Sequence, residues 1–234
     1  MKNKFQMSQD ENIFLAKRLL VDAIYTSANL EGIAVTYANT NDILNNVNVQ
    51  NVAPNDMHKI FCLRNTWHYV LDHINNPIDL GYIEEIHALV ARADVPYYAL
   101  GQLRTGDVLI SGTSWRPELP DPERLHKELQ EILRIPCATD RALTATLWCM
   151  RTQPFMDGNK RVASMLGNKI LIENGNGLLN VPVELDGQFK QRLVAFYESG
   201  QMDGLKQWMY DYCLDGINNP VQKQTTPIRR GRSV

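Results

Sequence analysis

The sequence has 234 residues, of which 44% are hydrophobic, so it can supply a substantial core for one compact domain. Its 24 basic and 26 acidic side chains nearly cancel, which argues against broad binding to nucleic acid or to an anionic membrane. The sequence shows no signal segment and no long apolar run, and its four cysteines lack the paired spacing of a zinc site. We therefore expect a cytoplasmic protein with no nucleic-acid partner and no membrane partner.

The first part of the chain has helical periodicity. Ser8 and Glu11 have the spacing of a capping box, and the apolar residues that follow fall on one face, which predicts a first helix over residues 8–32. An Asn-rich stretch over 39–55 is predicted as a turn region. Two further amphipathic helices are predicted, over 57–74 and from Asp79 onward.

The pattern changes between Pro96 and Pro120. Three glycines interrupt this stretch, and the run 107–111 is rich in β-formers, so we predict a small β-hairpin here. Asp121 is placed to cap a further helix that starts at Pro122.

Two buried helices form the predicted centre of the fold, within residues 139–175. The segment 139–151 is apolar almost all round, and a second mostly buried helix is predicted from Asn159 to about Asn174. Two more helices follow, near 186–199 and 203–214, and the stretch 218–234 is predicted to be a mobile tail. The sequence thus predicts an all-α fold with a small β-hairpin, organised as a single domain over 1–217.

The segment 153–161 joins the two buried helices and carries many polar groups. The N-terminus of the second helix offers unpaired backbone N–H groups, and Gly158, Lys160 and Arg161 can complete a site for a polyphosphate. Asp157 is a hard oxygen ligand suited to Mg²⁺ beside phosphate oxygens. Gln153 and Asn159 can form hydrogen bonds but are not strong proton acceptors.

The same segment also has a purely structural interpretation. In that interpretation Asp157 and Gly158 form a turn, Asn159 caps the helix, and the two basic side chains point into solvent. The segment is not a P-loop, because the glycine spacing and the Lys-Ser/Thr ending are absent.

Three segments together resemble the Fic family. The segment 153–161 resembles the Fic signature His-Pro-Phe-x-Asp/Glu-Gly-Asn-Gly/Lys-Arg, except at its first position. The segment 101–117 resembles the family's flap, a hairpin that pairs with an extended target segment, through Val108, Leu109, Ile110, Ser111 and Gly112. Residues 27–32 match the inhibitory motif Ser/Thr-x-x-x-Glu-Gly/Asn, with Ser27 and Glu31 at its fixed positions.

The resemblance implies transfer of AMP from Mg-ATP to a hydroxyl group on an unidentified protein that docks at the flap. It implies that ATP and Mg²⁺ bind, and that the helix 8–32 is inhibitory because Glu31 obstructs the γ-phosphate position. Some family members dimerise, so the resemblance allows a homodimer. The implied site roles are Mg²⁺ binding for Asp157 and phosphate binding for Gly158, Asn159, Lys160 and Arg161.

The sequence departs from the family pattern at two positions. Gln153 stands where the family has its catalytic histidine, and loss of a general base forfeits typically about 10²- to 10⁴-fold in rate. Ser164 stands where many members have a second arginine that pairs with the inhibitory glutamate. Lys160 or Arg161 is then the candidate partner of Glu31. His87 lies on an apolar helical stripe and is interpreted as a core histidine with its hydrogen bonds satisfied.

Several functions follow from this pattern. Our leading hypothesis is a nucleotide-binding protein with weak or lost AMP transfer. An enzymatic alternative keeps AMP transfer by means of another base or a strongly nucleophilic target. A second enzyme would remove AMP from a protein, with Glu31 aligning the attacking water. The third alternative is a non-catalytic protein-interaction module.

Overall fold

The computed structural model describes residues 1–217, and over this range the chain is mostly helical. The helices are α1 (Gln9–Arg18), α2 (Leu20–Leu30), α3 (Tyr37–Leu44), α4 (Pro54–Asp72), α5 (Leu80–Val90), α6 (Pro122–Leu133), α7 (Ala138–Thr152), α8 (Asn159–Glu173), α9 (Asp186–Ser199) and α10 (Asp203–Tyr212). Short 3₁₀ turns occupy Tyr97–Ala99 and Val183–Leu185. The strands β1 (Leu178–Leu179) and β2 (Leu214–Asp215) pair antiparallel, with Leu178 opposite Asp215.

The central pair of helices, α7 and α8, is buried on nearly all sides, as their apolar composition predicts. A side chain at Gly167 would come within 2.2 Å of the Thr146 hydroxyl, so the two helices approach each other closely at this point. The pair is followed along the chain by β1, whose Leu179 backbone N–H and C=O are both bound by the Asn168 side chain of α8. The all-α fold class is confirmed over the described residues.

The helix-start signals were mostly correct. Ser8 and Glu11 form the predicted reciprocal capping box, Asp79 caps α5, and Asp121 caps α6, which begins at Pro122. Each of these caps requires only contacts within three residues. Local sequence is therefore sufficient to locate them.

The structure corrects three predictions. The first helix is divided into α1 and α2 at Leu19, whose φ and ψ of −93° and 7° are not helical. The region 39–55 is not all turn, because most of α3 lies within it, as do the first two residues of α4. The segment 107–111 forms no strand, and no backbone ladder joins the two arms of the 101–117 segment. Its arms are held by side chains instead, as described below.

None of the described helices has the length and apolar composition that crossing a membrane requires. The predicted mobile tail, 218–234, lies outside the described residues.

Candidate functional site

The loop between α7 and α8 is shaped by two residues with positive φ. Gln153 ends α7 in the left-handed region (φ 47°, ψ 59°), and Pro154 cannot continue the helix. Gly158 (φ 77°) precedes α8, and an added Cβ there would lie 3.2 Å from the Ala91 Cβ. Phe155 between them is fully buried and anchors the loop in the core.

The Gln153 side chain is engaged at both of its polar atoms. Its Nε2 donates to the Met150 carbonyl at 2.6 Å, and its Oε1 accepts from Asn159 Nδ2 at 2.8 Å. Asn159 Oδ1 in turn accepts from the backbone N–H of Phe155 at 2.9 Å. Gln153 is only 9% exposed, so it serves here as a buried amide that stabilises the loop.

His87 connects the motif loop to the start of the flap segment. Its Nδ1 accepts from the Gly101 N–H at 3.0 Å, which leaves the proton on Nε2, and Nε2 donates to the Asp157 carbonyl at 3.2 Å. The ring also stacks on Phe155, with centroids 4.0 Å apart. Burial lowers the pKa of His87 to about 4, so the ring is neutral at physiological pH. The core interpretation of His87 agrees with this geometry.

The N-terminus of α8 has no side-chain cap, so its first N–H groups remain available to an anion. Lys160 is partly exposed beside it, at 32%. Asp157 is the most exposed of the acidic groups here, at 58%, and its Oδ1 accepts from the Gly158 N–H at 2.5 Å.

Arg161, unlike Lys160, is buried and bound by other side chains. Its side chain is only 4% exposed, and Nη1 donates to Asp94 Oδ2 at 2.5 Å and to the Val90 carbonyl at 3.1 Å. Burial acts to lower the pKa of Arg161, but the nearby carboxylates, with Glu31 and Asp94 foremost, raise it above its ordinary value. Arg161 is therefore a buried, permanently charged group that three acids surround, and it does not line the cavity described below.

Glu31 caps the C-terminus of α2 and reaches the start of α8. Its Oε1 lies 3.5 Å from Lys160 Nζ, and its Oε2 lies 4.0 Å from Arg161 Nε. The two basic residues named from the sequence as candidate partners of Glu31 thus both lie beside it. Ser27 lies elsewhere, in a small space of about 30 Å³ that it shares with Ser164.

A cavity of about 760 Å³ brings most of the predicted site residues together. Its walls come from Glu31, from the motif loop and from the flap segment, and its remaining wall is α9. The predicted residues that line it are Glu31, Val108, Leu109, Ile110, Ser111, Gly112, Gln153, Asp157, Gly158, Asn159 and Lys160. Ser27 and Arg161 are the predicted residues that do not.

Sequence reasoning missed the α9 wall. Lys190, Gln191 and Tyr197 line the cavity but lie about 30 residues or more beyond the motif, and no local pattern marks them. Burial raises the pKa of Tyr197 above its ordinary value, so its hydroxyl stays protonated. The cavity lining contains no histidine, and its carboxylates are Glu31 and Asp157.

The flap segment 101–117 is fixed at its return arm by Glu198 of α9. The Glu198 carboxylate accepts from the backbone N–H of Ser114 at 2.7 Å and from the Thr113 hydroxyl. These bonds lower the pKa of Glu198. The base of the flap is held by Arg104, which is buried.

Comparison with known proteins agrees with this architecture. Residues 77–171 match the model of the Fic/DOC family. A search among curated proteins found no matching sequence. Solved structures with the same fold include Fic-1 (residues 134–508) from C. elegans, with TM-score 0.69, 20% identity, and coverage of 90% of this chain and 64% of that one.

Two bacterial structures also match. A Fic domain containing signaling protein from Bacteroides thetaiotaomicron has TM-score 0.70 and 17% identity, covering 86% of this chain and 80% of that one. A Fic family protein from Desulfovibrio desulfuricans has TM-score 0.64 and 14% identity, covering 87% and 62%. This chain thus spans less than two thirds of the C. elegans and Desulfovibrio chains. Residues 77–171 thus match the Fic/DOC family model, and the chain has the fold of Fic-domain proteins.

Proposed function

We propose that this chain binds Mg-ATP or a related nucleotide in the cavity beside α8 and transfers AMP to protein hydroxyl groups weakly or not at all. The observation that carries the proposal is the cavity itself, which places the uncapped start of α8, the Asp157 carboxylate and the flap around one space. Its volume of about 760 Å³ lies within the range of small-molecule sites.

The phosphate-binding part of the proposal rests on α8. Its first backbone N–H groups and its dipole favour an anion, and Lys160 adds a cation that is partly exposed. Gly158, Asn159 and Lys160 would contact the phosphates directly. Arg161 is ion-paired with Asp94, and it would have to leave Asp94 to touch a ligand.

The donors fit a nucleotide-bound magnesium ion rather than an independent metal centre. No group of three or more acidic, histidine or cysteine side chains that could hold a metal occurs in residues 1–217. Mg²⁺ bound to phosphates commonly takes one or two carboxylates from the protein, and Asp157 supplies one such exposed carboxylate. When bound, the ion would neutralise phosphate charge.

Weak transfer follows from Gln153 and Glu31. The Gln153 amide is occupied by Met150 and Asn159 and cannot take a proton from an attacking hydroxyl. The Glu31 carboxylate lies beside Lys160 and would repel a triphosphate placed there. The cavity offers no histidine to replace the missing base.

A second candidate function is removal of AMP from a modified protein. Glu31 favours it, because this carboxylate lines the same cavity as Gln153 and its Oε1 has no hydrogen-bond partner among the described residues. In that reaction Glu31 would hold the attacking water. Glu31→Gly would then abolish the activity, whereas it would raise AMP transfer if Glu31 is inhibitory.

Calorimetric titration of Mg-ATP tests the first part of the proposal. We expect binding that Glu31→Gly strengthens and that Lys160→Ala weakens about tenfold, the loss of one charge-assisted phosphate contact. Lys127→Ala, an exposed lysine of α6 that does not line the cavity, is the matched control. Absence of binding in every variant would refute the nucleotide proposal and leave the protein-interaction module.

Incubation with α-labelled ATP and cell extract tests the second part. The native protein should label extract proteins weakly or not at all, and Gln153→His should increase the labelling, further so when combined with Glu31→Gly. Strong labelling by the native protein would contradict the role assigned to Gln153. Loss of label from premodified extract on adding the native protein would favour the second candidate.

A further inference from the structure

Arg104 forms an unusual set of hydrogen bonds at the base of the flap. It is 6% exposed, it makes no ion pair within residues 1–217, and its guanidinium donates only to backbone carbonyls. Burial lowers its pKa, and this effect is larger than the opposing one of Asp107. A buried charge without an acidic partner costs free energy unless its N–H groups are hydrogen-bonded. The Arg104 guanidinium therefore depends on the exact placement of the carbonyls around it.

The first of these bonds reaches the motif loop. Arg104 Nε donates to the Gln153 carbonyl at 2.7 Å, and the Arg104 backbone N–H donates to the Pro154 carbonyl at 3.0 Å. Gln153 has its backbone in the left-handed region, which residues other than glycine rarely adopt. Arg104 therefore stabilises the turn that sets the direction of the side chain at position 153.

The remaining bonds hold both feet of the flap. Arg104 Nη1 donates to the Gly106 carbonyl at 2.8 Å, and Nη2 donates to the carbonyls of Pro117 at 3.2 Å and Glu118 at 2.5 Å. Only a planar group with several donors can serve these sites together, and a lysine ammonium cannot reproduce the arrangement.

Between these feet, the backbone of residues 107–112 is free, whereas the Ser114 N–H is bound by Glu198. No hydrogen bond joins the backbone of residues 107–112 to any other described residue, and Leu109 is 75% exposed. An extended target segment could pair with this free edge. One guanidinium holds both the feet of that edge and the carbonyl of residue 153, so Arg104 links the flap directly to position 153. Glu198 attaches the return arm to α9 instead.

We infer that Arg104 is a positioning residue, which fixes the target-docking segment 107–112 relative to position 153 and so determines which hydroxyl of a docked protein reaches the bound nucleotide. This inference rests on the proposed function, because it assumes that a protein docks at the flap. Arg104 acts through backbone geometry and does not contact the nucleotide.

The test compares Arg104→Lys with Arg116→Lys, both in the Gln153→His background. Arg116 lies in the same flap, but it is exposed and its side chain makes no hydrogen bond within residues 1–217. Arg104→Gln is a second variant that buries no charge, in case the lysine variant does not fold. Thermal unfolding curves of all the variants are measured first, and the assays are run at a temperature at which every variant is folded.

Chymotrypsin cleavage after Leu109 reports the attachment of the flap. We expect cleavage at least tenfold faster in Arg104→Lys than in Arg116→Lys, because releasing the feet lets the segment open locally. Equal cleavage rates would overturn the inference. This readout needs no nucleotide and no transfer activity, so it separates failure of the inference from failure of the proposed function.

Labelling of extract proteins reports positioning. For Arg104→Lys the half-saturating ATP concentration should be unchanged, while the extract concentration that gives half-maximal labelling should rise at least tenfold. A protein with merely reduced stability would lose active enzyme without this split between the two substrates. If Arg104→Lys and Arg116→Lys required the same ATP concentration and the same extract concentration for half-maximal labelling, a positioning role would be contradicted. Absence of labelling even with Gln153→His would refute the transfer proposal and leave the cleavage result to decide the role of Arg104.

Discussion

Arg161 and Asp94 form a nearly buried ion pair, in which Nη1 donates to Oδ2 at 2.5 Å and the side chains are 4% and 7% exposed. Lys59 lies 3.0 Å from the other oxygen of the same carboxylate. Asp94 thus holds the motif arginine away from the cavity and connects α8 to α4. The position of Glu31 depends on this pair, because Glu31 shares Arg161 with Asp94.

Asp94→Asn is expected to destabilise the protein. Removing one member of a buried pair typically costs about 3 to 5 kcal/mol, and we expect about 2 to 4 kcal/mol here because Glu31 and Asp157 remain near Arg161. Urea unfolding with linear extrapolation measures the loss. Asp72→Asn, at an exposed position at the end of α4, is the control and should change the free energy of unfolding by about 0.5 kcal/mol or less. A similar small change for Asp94→Asn would show that the pair contributes little.

The features that could be predicted from the sequence are those that depend on neighbouring residues. The helix starts at Asp79 and Asp121 depend on caps within a few residues, and the bounds of the central helices follow from their apolar stretches. Long-range partners could not be predicted in this way. Asp94 and Arg161 are 67 positions apart, and Arg104 and Gln153 are 49 apart, so only the assembled fold shows that they meet.

The flap illustrates a different limit. The β-forming residues of 107–111 and the turn at Gly112 resemble a hairpin in sequence, but strands also require a ladder of backbone bonds. Here Arg104 and Glu198 bind the arms, so side chains replace the ladder. The split at Leu19 has no glycine or proline beside it, and periodicity alone predicted one continuous helix there.

Asp157→Asn is expected to remove the magnesium dependence of ATP binding. The asparagine can still accept the hydrogen bond from the Gly158 N–H, so the loop should keep its shape. A neutral oxygen is a weaker ligand for Mg²⁺, because the charge that favours the ion is gone. Calorimetry with ATP in Mg²⁺ and in EDTA should give affinities that differ by fivefold or more for the native protein and by less than twofold for the variant. An undiminished effect of Mg²⁺ in the variant would place the metal elsewhere.

His87→Gln is expected to flatten the acid dependence of stability. The folded protein favours neutral His87, whose pKa is lowered from 6.5 to about 4. The stability from this group is therefore fully present above pH 6.5, and it is lost as the pH falls from about 6.5 toward 4, by about 3 kcal/mol in total. Glutamine does not titrate, although losing the stack on Phe155 should lower stability at pH 7.

Urea unfolding at several pH values between 4 and 8 measures this difference. His126→Gln, at an exposed histidine of α6, should keep the slope of the native protein. Because carboxyl groups in general also titrate at the acid end of this range, we compare the difference in the free energy of unfolding between each variant and the native protein at each pH. Parallel curves for His87→Gln and the native protein would contradict a neutral buried histidine.

Gly158→Ala is expected to lower the free energy of unfolding by about 1 to 2 kcal/mol, the cost of a left-handed conformation for a residue with a Cβ. Gly158 has a φ of 77°, in the left-handed region. The new methyl group would also lie 3.2 Å from the Cβ of Ala91, the C-cap residue of α5. Gly187→Ala is the matched control, because its Cβ would meet nothing within 4 Å and its φ is not positive. That variant should leave the stability unchanged or raise it slightly, since alanine restricts the unfolded chain. If both substitutions gave the same result in urea unfolding, the left-handed turn at Gly158 would not be the conformation in solution, and the uncapped start of α8 would have to be reconsidered as the phosphate-binding site.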